Sequence, residues 1–112
     1  KLTVLLTGDG GFMMGGLTEM STVVREQLNI AILVFNDGSY GAEYIQFTAK
    51  GMSPELSMIR PPDFVAIAKA IGFEACCVSN PDELEYALGM MREGSGPRLF
   101  DIRLDAELVR RD

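Results

Sequence analysis

Two short polar turns hold the residues with chemistry to offer. The first is Gly8-Asp9-Gly10-Gly11 and the second Asn36-Asp37-Gly38-Ser39-Tyr40-Gly41, with 27 residues between Asp9 and Asp37. Each follows an apolar run that reads as a β-strand. In an open α/β sheet, turns that follow strands gather at the carboxyl edge, where ligands bind. The two turns are therefore expected to be neighbours in space. Two carboxylates suit a hard divalent cation, and Mg²⁺ takes oxygen ligands that it commonly shares with substrate phosphates. Glycines let backbone N–H groups approach phosphate oxygens with no Cβ in the way. An aspartate between glycines can also do no more than cap a turn. The second acidic turn is what favours a cation and a phosphate.

The elements that must position these turns read clearly from the apolar pattern. Leu2–Thr7 is a continuous apolar run of the kind expected for a strand covered on both faces. From Thr18 to Leu28, Met20, Val23, Val24 and Leu28 recur at helical spacing, with Gly15-Gly16 ahead of them. Ile30–Phe35 is a second apolar strand. Ala42–Phe47 suits a short helix, and Lys50–Pro62, rich in Ser, Pro and Met, is the best candidate for a mobile loop. Pro62-Asp63 opens a helix closed by Gly72, followed by a strand at Phe73–Val78. Ser79-Asn80-Pro81 caps and starts another helix, with Leu84, Ala87, Leu88 and Met91 on one face. Arg98–Leu104 is the last strand. This alternation predicts an α/β fold, a doubly wound, mostly parallel sheet with helices on both faces.

Composition narrows the function. A chain of 112 residues with 47% hydrophobic and 23% charged residues is one globular domain with a single core. Its net charge of −6 and lack of a basic run argue against nucleic acid or an anionic membrane as partner. No apolar stretch reaches the roughly 18 residues of a membrane span. Cys76 and Cys77 are adjacent in a strand, where side chains point to opposite faces. They read as reduced thiols, in keeping with a cytoplasmic setting. Histidine is absent, which removes imidazole acid–base catalysis and His-zinc sites. The chain opens on Lys1 inside a strand pattern and is expected to be a piece of something longer.

With the turns and elements in place, the chain resembles the thiamine-diphosphate-dependent enzymes. Their signature is GDG, then roughly 25 to 30 residues, then Asn-Asn or Asn-Asp. The closer likeness is to the diphosphate-binding domain of the acetolactate synthase and 2-oxoacid decarboxylase branch. It is carried by GDGxFxM at the first turn, FNxGxYG at the second, and DFVAIAKAIGFEA at 63–75, and runs from Lys1 to about Asp105.

The resemblance implies thiamine diphosphate and Mg²⁺ as cofactors, and a thiamine-diphosphate-binding fold truncated at its N-terminal side. Asp9 would ligate the cation that bridges the diphosphate. Asp37 takes the position of the second ligand, and the Ser39 carbonyl would be the third. Gly15-Gly16 reads as an insertion that shifts the spacing by one residue, so Asn36 stays open as an alternative to Asp37. Gly8, Gly10 and Gly11, with Ser39, Tyr40 and Gly41, would hold the diphosphate. Phe12, Met13 and Met14 are either a cofactor-facing stripe or core. Glu43, Tyr44 and Gln46 fall where the family faces its substrate, though an exposed helix glutamate is equally ordinary. No catalytic acid is expected in this chain, because the glutamate that activates the cofactor belongs to a pyrimidine-binding domain, normally of a neighbouring subunit. The partners implied are that domain, a small 2-oxoacid and further copies in a homo-oligomer. Apolar surface near Phe12–Met14 and Lys50–Pro62 is expected to be exposed. Two other classes compete: a receiver-type metal-binding regulatory domain, which would need a late lysine that Arg98–Leu104 does not offer, and a domain that keeps the fold only for assembly.

Overall fold

The structure is a computed structural model that describes residues 1–109. Four strands, β1 (Thr3–Gly8), β2 (Ile30–Asn36), β3 (Glu74–Val78) and β4 (Arg98–Arg103), form one sheet in the order β1-β2-β4-β3. Every pairing is parallel. The strands fall within a residue or so of the apolar runs that predict them.

The helices are α1 (Asp9–Gly11), α2 (Leu17–Arg25), α3 (Gly41–Ala49), α4 (Phe64–Ile71), α5 (Pro81–Glu93) and α6 (Ala106–Val109). The connections β1→β2 and β2→β3 advance across the sheet, whereas β3→β4 steps back. Right-handed crossovers then put α2 and α4 on one face and α5 on the other. Two apolar clusters record this. Met20, Val23, Phe64 and Ala68 pack with Ile32, Val34 and Leu99 on the first face, while Ala87 packs with Ala31, Val78 and Phe100 on the second.

Local signals set the helix ends. The Asp63 carboxylate accepts the Ala66 N–H at 2.9 Å, and Asn80 accepts the Glu83 N–H at 2.9 Å. Gly72 closes α4 at φ +120°, a conformation that L side chains rarely adopt. The Cys76 and Cys77 thiols are both free. Cys76 joins the second cluster, and burial, then the neighbouring Cys77 and Glu83, push its thiol up.

Three features depart from the sequence reading. The first helix begins at Asp9 rather than Thr18. Asp9–Gly11, a π-helical turn at Phe12–Gly16 and α2 follow one another without a break. A π-turn absorbs one extra residue within a helix, which accounts for the apparent insertion at Gly15-Gly16. Second, Phe12 is core, 1% exposed, not part of an exposed patch. A Cβ on Gly16 would collide with the Phe12 ring, so glycine there lets the ring lie flat along the helix. Of the run read as stripe or core, Phe12 alone is core; Met13 and Met14 are exposed, as are Met52, Leu56 and Met58, in line with the apolar surface expected near both segments. Third, β1 is not covered on both faces. It is an edge strand, and Val4, Leu5 and Leu6 are exposed, Leu6 at 63%.

Arg98 is fully buried at the start of β4. Its guanidinium donates to the carbonyls of Met90 and Met91 in the last turn of α5 and to Asn29 Oδ1. A cation at a helix C-terminus satisfies orphan carbonyls and the helix dipole together. Arg98→Met is expected to lower the free energy of unfolding by about 3 kcal/mol, the worth of one or two charge-assisted hydrogen bonds. Urea denaturation followed by circular dichroism would measure it.

Candidate functional site

Two helix N-termini open onto one cavity at the carboxyl edge of β1 and β2. The first four N–H groups of a helix have no partner inside it. In α4 and α5 an Asp or Asn side chain caps them. At α1 the N-cap is Gly8, and at α3 it is Tyr40, neither making a side-chain capping bond. Both ends line a cavity of about 440 Å³, bounded by Gly8, Gly10, Gly11, Met14, Ser39, Tyr40, Gly41, Ala42 and Glu43. Two helix ends with no N–H taken up by an N-cap side chain, both beside one cavity, suit an anion.

The two acids belong to the same turns, but neither Asp9 nor Asp37 is among the residues that line the cavity. Asp9 is 2% exposed, and its Oδ2 accepts the Gly38 N–H at 2.9 Å, which ties the first turn to the second. Asp37 Oδ1 accepts both the N–H and the hydroxyl of Ser39, at 3.1 and 3.0 Å. The Ser39 carbonyl oxygen lies 3.6 Å from where a Cβ on Gly10 would sit, so it faces the first turn. That Cβ would also stand 2.6 Å from the Tyr40 ring, so only glycine fits beneath Tyr40 as it lies. Burial, and secondarily the charge of Asp37, hold the Asp9 carboxyl above its ordinary value, against the opposing N–H groups of Gly10 and Gly38. Among the described residues, no three acidic, cysteine or histidine side chains come together to hold a metal. A cation here would draw on two carboxylates, backbone oxygen and the anion itself. That donor set suits Mg²⁺, which dehydrates reluctantly and shares phosphate oxygens.

The residues singled out from the sequence divide as follows. Gly8, Gly10, Gly11, Ser39, Tyr40 and Gly41 all line the cavity, and Glu43 does too. Tyr44 and Gln46 are not among its lining residues. Asn36 is turned elsewhere: its side chain is buried and its Nδ2 donates to Asp101 Oδ1 at 2.9 Å. The segment read as a loose loop carries a 3₁₀ turn at Glu55–Ser57 and is strapped to the second turn. Tyr40 N–H donates to Ser57 O at 2.8 Å and Ile59 N–H to Gly38 O at 2.9 Å. Sequence reasoning missed Asp101 and Arg103. The signal was a carboxylate between Phe100 and Ile102 in an apolar strand, where a buried charge must find a partner.

Known proteins share this sequence and architecture. Residues 1–102 match the family described as thiamine pyrophosphate enzyme, C-terminal TPP binding domain. The acetolactate synthase isozyme 2 large subunit of Escherichia coli is 31% identical over 104 residues, covering 91% of this chain and 19% of that protein. A putative acetolactate synthase large subunit of Mycobacterium tuberculosis is 30% identical over 109 residues, covering 97% and 20%. The fold superimposes with a TM-score of 0.80 and 23% identity on a thiamine diphosphate-dependent 4-hydroxybenzoylformate decarboxylase of Rhodococcus jostii, covering 94% and 20%. The chain thus spans about a fifth of the length of such relatives. With the family matched over nearly all of its length, the chain belongs to the C-terminal TPP-binding domains of the thiamine pyrophosphate enzymes.

Proposed function

We propose that this domain anchors thiamine diphosphate through Mg²⁺ in a longer 2-oxoacid decarboxylase or carboligase of the acetolactate synthase type. The observation that carries the reading is the convergence of two uncapped helix N-termini and two acidic turns on one cavity. Asp9, Asp37 and the Ser39 carbonyl hold the cation, while Gly8, Gly10, Gly11, Ser39, Tyr40 and Gly41 hold the diphosphate. Asp37 is preferred to Asn36 because Gly38-Ser39-Tyr40-Gly41 lines up with the family's GxYG, and the Asn36 Nδ2 is held by Asp101 on β4. Bound thiamine diphosphate supplies the nucleophilic carbon and electron sink that 2-oxoacid chemistry needs. The cation that the domain holds would neutralise the diphosphate, and the two turns fix where the cofactor lies. Glu43, at the mouth of the cavity, faces the substrate, with Tyr44 and Gln46 further along α3.

The acid that activates the cofactor comes from a pyrimidine-binding domain, normally of a neighbouring subunit in a homo-oligomer. The exposed apolar side of β1 and the exposed Met14 and Leu56 support such contacts, since a parallel sheet ordinarily has both faces covered. The test has two arms, run on the 112-residue chain. Calorimetry and thermal unfolding should show stabilisation by thiamine diphosphate that requires Mg²⁺, about 2.7 kcal/mol at a hundredfold excess over the dissociation constant. Pyruvate should not be turned over under the same conditions. Turnover by the chain alone would contradict the assignment of the activating acid to another domain. No cofactor-dependent shift at any Mg²⁺ concentration would contradict the anchoring role.

A further inference from the structure

Asp101 lies on β4, away from the cavity, and is fully buried. Its Oδ1 accepts the Asn36 Nδ2–H at 2.9 Å, and its Oδ2 pairs with Arg103 Nη2 at 2.7 Å. Asn36 is the last residue of β2 and stands opposite Arg103 in the sheet register. Its carbonyl also accepts the Leu104 N–H at 2.9 Å. The residue that opens the second turn is therefore fastened to β4 by both its side chain and its backbone. The next residue is Asp37, and Gly38 and Ser39 follow with the N–H that meets Asp9 and the carbonyl that faces Gly10.

We propose that Asp101, braced by Arg103, is a positioning residue: it holds the Asn36 amide and so fixes the turn that presents Asp37 and Ser39 to the cation. A carboxylate is costly to bury, and packing alone would favour an apolar side chain at this point of β4. Asp101 bonds no ligand itself and acts one residue removed, through Asn36 on Asp37. Removing an outer-shell partner that does bond a ligand commonly weakens metal binding about 10- to 100-fold, which sets the upper range expected here. The inference rests on the site reading given above, and its test separates the two.

Mn²⁺ in the presence of thiamine diphosphate serves as the probe, its dissociation constant measured by electron paramagnetic resonance on the 112-residue chain. The unfolding midpoint is measured in parallel without metal. Asp101→Leu fills the space but offers no acceptor to Asn36, whereas Asp101→Asn keeps an acceptor. The expected result is a Mn²⁺ dissociation constant raised about 10- to 100-fold in Asp101→Leu and near the wild-type value in Asp101→Asn. The loss should not follow the change in unfolding midpoint. Arg103→Met, altered at the exposed end of the pair, gives a milder loss in the same direction and serves if the leucine variant fails to fold. Equal affinity in wild type and both Asp101→Leu and Arg103→Met would overturn the positioning role while leaving the site standing. A wild-type chain that binds no Mn²⁺ at the two turns would overturn the site reading, and the positioning role with it.

Discussion

Replacing Asp9 with asparagine is expected to abolish Mg²⁺-dependent binding of thiamine diphosphate while leaving the metal-free fold at least as stable. Asparagine is isosteric and can still accept the Gly38 N–H now held at 2.9 Å, so the tie between the turns survives. What would disappear is the charge proposed to meet the cation. The loss of affinity should exceed the roughly 10- to 100-fold typical of outer-shell partners. The stability effect follows from linkage. Burial holds the Asp9 carboxyl above its ordinary 3.8, with Asp37 adding repulsion. A carboxyl raised in the folded state contributes stability that is fully present below 3.8 and is lost as pH rises through the folded value. At neutral pH the ionised Asp9 is thus a liability that a bound cation relieves. The asparagine variant should match or exceed the wild-type melting temperature at pH 7 without metal, lose that advantage in acid, and show no Mg²⁺-dependent shift. A wild-type-sized Mg²⁺ shift in the variant would remove Asp9 from the site.

Phe12→Ala is expected to be the most damaging single truncation in the core. The ring is 1% exposed and packs edge-on against Phe64 with centroids 5.5 Å apart. Deleting a buried phenylalanine side chain costs about 3–5 kcal/mol. Total stability for a domain is commonly only about 5–15 kcal/mol, so the variant should be largely unfolded at modest urea concentrations. The effect reaches the site because Phe12 lies in the π-turn directly after Gly10-Gly11. Surviving folded protein should bind thiamine diphosphate more weakly. Thermal and urea unfolding would decide it, and a loss below about 1 kcal/mol would mean that the π-turn is held by other contacts.

Much of the fold was legible because β1 and β2 are nearly continuous apolar runs, β3 is mostly and β4 partly apolar, and two helices carry Asp or Asn caps with clear local geometry. The helical start at Asp9 was not legible. Gly10, Gly11, Gly15 and Gly16 are poor helix formers and mark turns in isolation. Their helical state is imposed by burial of Phe12 and by the connection to α2. The two acidic turns were readable from composition and spacing, since each follows a strand and strand ends of a parallel sheet share an edge. What holds the second turn was not. The Asn36–Asp101 bond joins residues 65 apart, and the strap from Ser57 and Ile59 consists of backbone bonds that no side-chain pattern records. The place of β1 in the sheet was not legible either: the run Leu2–Thr7 says apolar, but only strand order says edge.

One divalent cation is proposed to sit between the Asp9 and Asp37 turns with a diphosphate. Mn²⁺ broadens nearby amide signals, so titrating it into the isotope-labelled 112-residue chain with thiamine diphosphate locates the metal directly. The amides of Gly8–Gly11 and Asp37–Gly41 are expected to vanish first, and the Asp9→Asn variant to lose this pattern. Broadening centred instead on the acidic start of α5, at Asp82, Glu83 and Glu85, with both turns unaffected, would contradict this placement of the cation.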